Sequence, residues 1–186
     1  MIVKGGRKHM GEVIKKKVVA ILGADVDTDI IFPARYLSTF DEQETASHLF
    51  EDVDPSFRGR VENGGVVICG RNFGCGSARE QAAMALKYAG TTMIIAVSYN
   101  RSFYRNAINN GLPLLEFENP EDYSAFKDGD ELSVDFASGL IKNEATGKTM
   151  KCLVPNRFIT DIVAAGGICQ YFIQNRDKHG GKLCLQ

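Results

Sequence analysis

The chain of 186 residues is 44% hydrophobic and 24% charged, with a formal net charge of −1, the balance of a globular protein with a core of its own. That near-neutral charge gives no electrostatic case for nucleic acid or an anionic membrane, and no apolar run approaches the roughly 20 residues that span a bilayer. The opening "MIVKGGRKHMGEVIKKK" is basic but lacks the apolar centre and small-residue cleavage site of a secretory leader, so a cytoplasmic protein is expected.

The first strand expected along the chain is "VVAIL" (18–22), followed by "VVIC" (66–69), "MIIAV" (93–97) and "LPLLEF" (112–117). Each is short, apolar and bounded by glycine, proline or polar residues, the pattern of strands buried on both faces. Between the second and third, Ala82, Leu86 and Ala89 recur at helical spacing. Tyr104, Ile108 and Gly111 do so before the fourth, where "NNGLP" supplies a glycine cap and then proline. A β-α-β-α-β order implies mainly parallel strands joined by right-handed crossovers. After Pro120, "ELSVDF", "LIKN" and "TMKCLV" read as a small antiparallel meander. A helix over about 156–165 follows, ended by Gly166-Gly167, and the tail "NRDKHGGKLCLQ" is polar and expected to fray. The expectation is one domain over 1–186, an α/β fold with a core over about 17–168, a flexible N-terminal extension and a β appendage.

The chemistry concentrates in "CGRNFGCGSAREQAAMALKYAG" (69–90), where a glycine-rich loop turns into a helix. A dinucleotide fingerprint starting at Gly74-x-Gly76 wants a small residue at the position of Arg79. A P-loop wants Gly-Lys-Ser/Thr, and a nucleophile elbow wants a glycine two residues after the serine. None of these is present. What remains is an anion site: glycines let backbone N–H groups approach a ligand, and the helix N-terminus adds positive partial charge. Arg79, read here as lying in the first helical turn, is unfavourable against the helix dipole by roughly 0.3–1 kcal/mol. The misfit points to a carboxylate ligand or an acidic partner that offsets it. Ser77 has two readings that do not exclude each other. "SARE" fits a capping box with Glu80, and a serine here also lies beside whatever anion binds. Cys75 reads as a small packed residue.

A second polar cluster lies in "GADVDTDIIFPARYLSTF". Asp25, Asp27 and Asp29 alternate there, able to bind a hard cation or to cap the turn that follows. The five cysteines (Cys69, Cys75, Cys152, Cys169, Cys184) are irregularly spaced without a C-x-x-C. His9, His48 and His179 read as solvated or satisfied side chains, and no metal site is expected in this chain.

Three stretches together resemble the small subunits of the isopropylmalate isomerases, aconitase-like hydro-lyases. "DVDTDIIFPARYL" is similar to the family's D-x-D-T-D-x-I-x-P-x-x-[YF]-L, "NFGCGSARE" to N-F-G-C-G-S-S-R-E, and "SFYRNAINNGLPLLE" to I-F-Y-R-N-A-I-N-x-G-L-P. The resemblance implies a swivelling β/β/α domain, three-layered around a mixed, mainly parallel sheet. It closes over a large subunit carrying a [4Fe-4S] cluster, as a heterodimer or heterotetramer. It also implies that Ser77 acts as an alkoxide base and that Arg79 binds a substrate carboxylate. Gly76, Ala78, Thr28, Asp29, Leu37, Ser38 and Thr39 are then expected around the substrate. Ala78 stands where the family has a second serine, and Gln81 where histidine is common. Homoaconitase-like relatives carry an arginine at the position of Ser38. Its absence favours an apolar branch and isopropylmalate, in leucine biosynthesis. Citraconate, dimethylmalate or homoaconitate chemistry, or a non-catalytic carboxylate-binding module, are the alternatives.

Overall fold

The structure is a computed structural model and describes residues 13–176. The N-terminal extension with His9, and the tail beyond Arg176 with His179 and Cys184, lie outside the described residues.

Seven strands form: β1 (Ile14–Leu22), β2 (Val66–Cys69), β3 (Met93–Ala96), β4 (Leu114–Phe117), β5 (Glu131–Asp135), β6 (Leu140–Asn143) and β7 (Thr149–Leu153). They run in the order β1-β2-β3-β4-β7-β6-β5 and close into a barrel. The first four are parallel, with Val18 opposite Val66, Val66 opposite Met93 and Ile94 opposite Leu114. The expected parallel half is therefore present. The antiparallel meander is not an appendage, however. Phe117 of β4 pairs with Cys152 of β7, and Lys17 of β1 pairs with Glu131 of β5, so the meander joins both outer edges of the parallel set. Closure in this way leaves no strand edge unpaired among the described strands.

The sequence of each strand follows from what covers it. Val66, Ile68, Met93 and Ile95 face the barrel interior with Leu115, Leu132, Val134, Ile141 and Met150. Their neighbours Val67, Cys69, Ile94 and Ala96 face outward into a second core made with the helices. Buried on both sides, β2 and β3 must be apolar throughout. The meander has solvent on its outer face, so β6 and β7 alternate buried and exposed residues.

Between β1 and β2 the chain forms short helices α1 (Thr28–Ile31), α2 (Glu42–Ser47) and α3 (Phe57–Val61). The crossovers after β2 and β3 carry α4 (Glu80–Tyr88) and α5 (Arg101–Asn109), and α6 (Arg157–Ala165) and α7 (Ile168–Gln174) follow the barrel. The expected end of α6 is present: Gly166 adopts φ 92 as its left-handed cap. No helix among the described residues is long and apolar enough to cross a membrane.

Three helix ends meet at Lys87 in the last turn of α4. Its ammonium donates to the carbonyls of Asn110, at the end of α5, and Gly166, at the end of α6. Those carbonyls have no partner within their own helices, so the cation answers both the missing donors and the negative ends of the two dipoles. Burial lowers the Lys87 pKa. Lys87→Met is expected to cost about 1–3 kcal/mol in urea denaturation, the scale for part-buried acceptors left without a donor. Lys17→Met, which breaks a surface pair with Glu131, should cost no more than about 1 kcal/mol.

Candidate functional site

The C-terminal ends of β1 and β2 open into two loops, 23–29 and 70–79, that are joined along their length. Asp25 N–H donates to the Arg71 carbonyl (2.8 Å), and Asn72 Nδ2 donates to Asp25 Oδ1 (2.8 Å). The N–H groups of Gly74 and Cys75 both donate to the Val26 carbonyl, at 2.9 and 3.1 Å, and Thr28 N–H donates to the Cys75 carbonyl at 2.8 Å. Thr28 Oγ1, in a side chain only 1% exposed, donates to the Ser77 carbonyl at 2.9 Å. The glycines make this approach sterically open. Gly74 and Gly76 have φ of 75 and 86, and a Cβ would fall 2.2 Å from Phe103 Cγ at the first and 2.3 Å from Asp27 Oδ1 at the second.

This seam assigns the three aspartates separate tasks. Asp25 holds Asn72, Asp27 caps α1 by accepting from Asp29 N–H at 2.8 Å, and Asp29 forms an ion pair with Arg79. The cation-binding alternative is thus replaced by capping and pairing. Among the described residues no group of three or more His, Cys, Asp or Glu could hold a metal ion.

The structure corrects the expected start of the helix. α4 begins at Glu80, and Arg79 is its N-cap residue in extended conformation (φ −86, ψ 123), with no side-chain cap. Ser77 therefore does not form the capping box with Glu80, whose carboxylate instead accepts from Asn110 Nδ2 at 2.9 Å. The reason lies in the Ser77 carbonyl, which accepts both from Thr28 Oγ1 and, at 2.8 Å, from Arg79 N–H. Held in this way, residues 77–79 stay outside the helix. The Ser77 side chain is exposed, and its hydroxyl makes no hydrogen bond among the described residues.

Arg79 does have the acidic partner its position called for. Its guanidinium is largely buried, with 20% of the side chain exposed, whereas the Asp29 carboxylate is 54% exposed. Nη1 is buried and engages Asp29 as an ion pair without a hydrogen bond of regular geometry. Cys75 sits in the same loop, half-buried. Burial, with added repulsion from Asp27 and Asp25, pushes its thiol pKa up. That agrees with a packed, unreactive cysteine.

Leu37, Ser38 and Thr39 follow a 3-10 turn over Ala34–Tyr36. Ser38 is exposed, Thr39 is 9% exposed, and the Thr39 N–H donates to the Tyr36 carbonyl at 2.9 Å. The Leu37 carbonyl accepts from Gln81 Nε2 at 2.9 Å. Thr28, Asp29, Gly76, Ser77, Ala78 and Arg79 thus lie in one seam, and Leu37 is tied to the helix that leaves it. Sequence reasoning registered Gln81 as a departure from a pattern but not as a contact. It also left the surroundings of Tyr36 undescribed. His48 stacks on that ring (3.4 Å between centroids) with Nδ1 2.5 Å from Glu51 Oε2, and Tyr36 OH donates to Glu51 Oε1 at 3.1 Å. The His48 contact, then those from Tyr36 and Arg35, hold the Glu51 carboxyl below its usual range. His48 is a satisfied side chain, as expected.

A model of the aconitase C-terminal domain family matches residues 25–120, a span that includes the second loop and the first from Asp25 on. The chain is 48% identical over 149 residues to the 3-isopropylmalate dehydratase small subunit of Moorella thermoacetica, covering 80% of this chain and 89% of that protein. It is 45% identical over 155 residues to the methanogen homoaconitase small subunit of Methanothermobacter thermautotrophicus, covering 83% and 88%. Among solved structures, 3-isopropylmalate dehydratase of Methanocaldococcus jannaschii superposes with a TM-score of 0.80 at 41% identity, covering 91% of this chain and 98% of that one.

The Cys75 environment carries its own test. Alkylation of Cys75 by iodoacetamide, followed by peptide mapping, should still be accelerating above pH 9, the ordinary thiol value. At neutral pH it should be slower than that of exposed Cys169 by about tenfold or more.

Proposed function

The chain belongs to the aconitase C-terminal domain family and, within it, to the 3-isopropylmalate dehydratase small subunits, and on that premise we propose that it is the small subunit of a cytoplasmic hydro-lyase interconverting 2- and 3-isopropylmalate in leucine biosynthesis. The observation that carries the reading is the seam itself. It holds a serine hydroxyl without a partner among the described residues, two residues from an arginine whose carboxylate partner is half-exposed.

In this reading Arg79 binds one carboxylate of the substrate, and Asp29 occupies the same guanidinium until the substrate arrives. Exchange of one carboxylate for another avoids leaving a largely buried cation unpaired in either state. Ser77 Oγ takes the proton from the carbon beside the one whose hydroxide departs as water with a proton from solvent, giving an alkene diacid. On rehydration a water gives its hydroxide to the carbon that lost the proton, and a proton is returned to the carbon that lost the hydroxide. A serine can act as base only if its alkoxide is stabilised, and the backbone N–H groups of Gly76, Ser77 and Ala78, which have no acceptor among the described residues, supply positive potential there together with the Arg79 charge. Gly76, Ala78 and Thr28 shape the loop, and Leu37, Ser38 and Thr39 face the substrate branch.

The reaction of this family also uses an iron–sulfur cluster. The described residues do not fit one: Cys69 and Cys152 are buried in different core clusters, Cys169 is exposed on the last helix, and Cys75 is the one cysteine in the seam. The cluster is accordingly assigned to a large subunit, and this chain contributes carboxylate binding and proton transfer.

The homoaconitase relative keeps a second substrate in view, a diacid whose branch ends in a third carboxylate. Ser38, exposed, offers that carboxylate a hydroxyl but no charge. In the complex reconstituted with its large subunit, Ser77→Ala should lower kcat by roughly 10²–10⁴-fold, the scale for a lost general base. Because Ser77 caps no helix, stability should change by no more than about 0.5 kcal/mol. Near-normal turnover would remove Ser77 from the chemistry. Ser38→Arg should shift the ratio of kcat/KM values from isopropylmalate toward homoaconitate by roughly ten- to a hundredfold, equivalent to a charge-assisted hydrogen bond of about 1.5–3 kcal/mol. An unchanged ratio would show that this loop does not read the branch.

A further inference from the structure

The loop that carries Ser38 and Thr39 is fixed at both ends by local bonds. On one side the 3-10 turn closes with Tyr36 N–H to the Pro33 carbonyl (3.1 Å) and Leu37 N–H to the Ala34 carbonyl (3.3 Å). On the other, Asp41 caps α2 by accepting from the N–H groups of Gln43 (3.0 Å) and Glu44 (2.9 Å). These bonds set the shape of the loop but not its place relative to Arg79. Among the described residues, the hydrogen bond that joins the backbone of 37–40 to α4 is the one from Gln81 Nε2 to the Leu37 carbonyl, across 44 positions of sequence.

The chemistry of that bond is one-directional. A peptide carbonyl only accepts, so the Gln81 amide must present its NH₂ group to Leu37. The side chain is half-buried, where water competes poorly for the same carbonyl. Gln81 lies in the first turn of α4, two residues after Arg79. The N-cap residue of α4 therefore carries the carboxylate grip, and the first helical turn, two residues on, carries the anchor of the branch-facing loop. A shift of Leu37 against α4 moves Ser38 and Thr39 relative to the substrate while leaving Arg79 and Ser77 in place.

We infer that Gln81 is a positioning residue for substrate selection, holding the Leu37–Thr39 backbone at the distance from Arg79 that fits the substrate branch. This inference rests on the reading that Ser38 and Thr39 face that branch. It assigns to Gln81 no contact with the reacting atoms.

The experiment compares Gln81→Glu, Gln81→Leu and Gln81→His in the complete two-subunit complex, on isopropylmalate and on the same diacid with methyl in place of isopropyl. Glutamate keeps the shape of glutamine but at neutral pH offers Leu37 no donor, whereas histidine keeps an N–H. Both Glu and Leu variants should raise KM for isopropylmalate by about 5–20-fold with kcat changed by no more than about threefold, the signature of lost binding rather than lost chemistry. Their preference for isopropyl over methyl should fall by a similar factor, of about 5–20-fold, and the His variant should keep it to within about threefold. An unchanged preference in the Glu variant would overturn the inference, as would an equal fall of kcat on both substrates, which marks a brace for α4. If the Leu variant does not fold, the isosteric Glu variant decides. A wild-type complex that does not turn over isopropylmalate would overturn the functional reading itself, whereas wild-type turnover with unaltered variant selectivity would overturn only the role of Gln81.

Discussion

The buried hydroxyl of Thr28, donating to the carbonyl of Ser77, is the contact on which the site depends. It joins loops from different strands at the point where one of them must stop being a loop. With the Ser77 carbonyl engaged from two sides, α4 starts later than its sequence suggests, and the serine is left with a free hydroxyl instead of a capping role. The glycines at 74 and 76 make the same contact possible from below, since any side chain there would meet Phe103 or Asp27. The seam is thus specified twice, by a donor that needs an acceptor and by backbone that needs room.

The barrel supplies what such a seam requires, two strand ends that cannot drift apart. β1 and β2 are parallel neighbours, β2 buried throughout and β1 buried at Val18 and Ala20, and their register, with Leu22 opposite Cys69, delivers both loops to one rim. Ligands of parallel-stranded folds gather at the carboxyl ends of the strands for this reason. Behind the rim, Lys87 ties the ends of α5 and α6 to α4. The helix that starts at the site is therefore anchored at its far end as well.

Much of this was legible in the sequence. The runs at 66–69, 93–97 and 112–117 could only be strands covered on both sides, and the glycine–proline punctuation after Asn110 marked the end of a helix. Barrel closure was not legible, because the pairing of Lys17 with Glu131 is non-local and leaves no pattern in either strand. The short helices α1–α3 lack the length for a helical period, and α7, seven residues between Gly167 and the polar tail, is too short for one as well. In the site, the residue types and the Arg79 misfit pointed to a carboxylate partner. The capping box did not form because a tertiary hydrogen bond from Thr28 overrode a local preference of about 1 kcal/mol. Gln81 could be seen as unusual, but its partner could not, since an amide has no spacing rule that reveals a distant carbonyl.

Barrel closure also limits how another protein can engage this one. An open sheet offers a row of unpaired N–H and C=O groups to which a neighbour can add a strand, whether a true partner or a second misfolded copy. With β5 paired back onto β1, no such template is exposed among the described strands. A chain that docks on this one must be recognised by side chains and loops instead. Its specificity is then set residue by residue and not by backbone pairing.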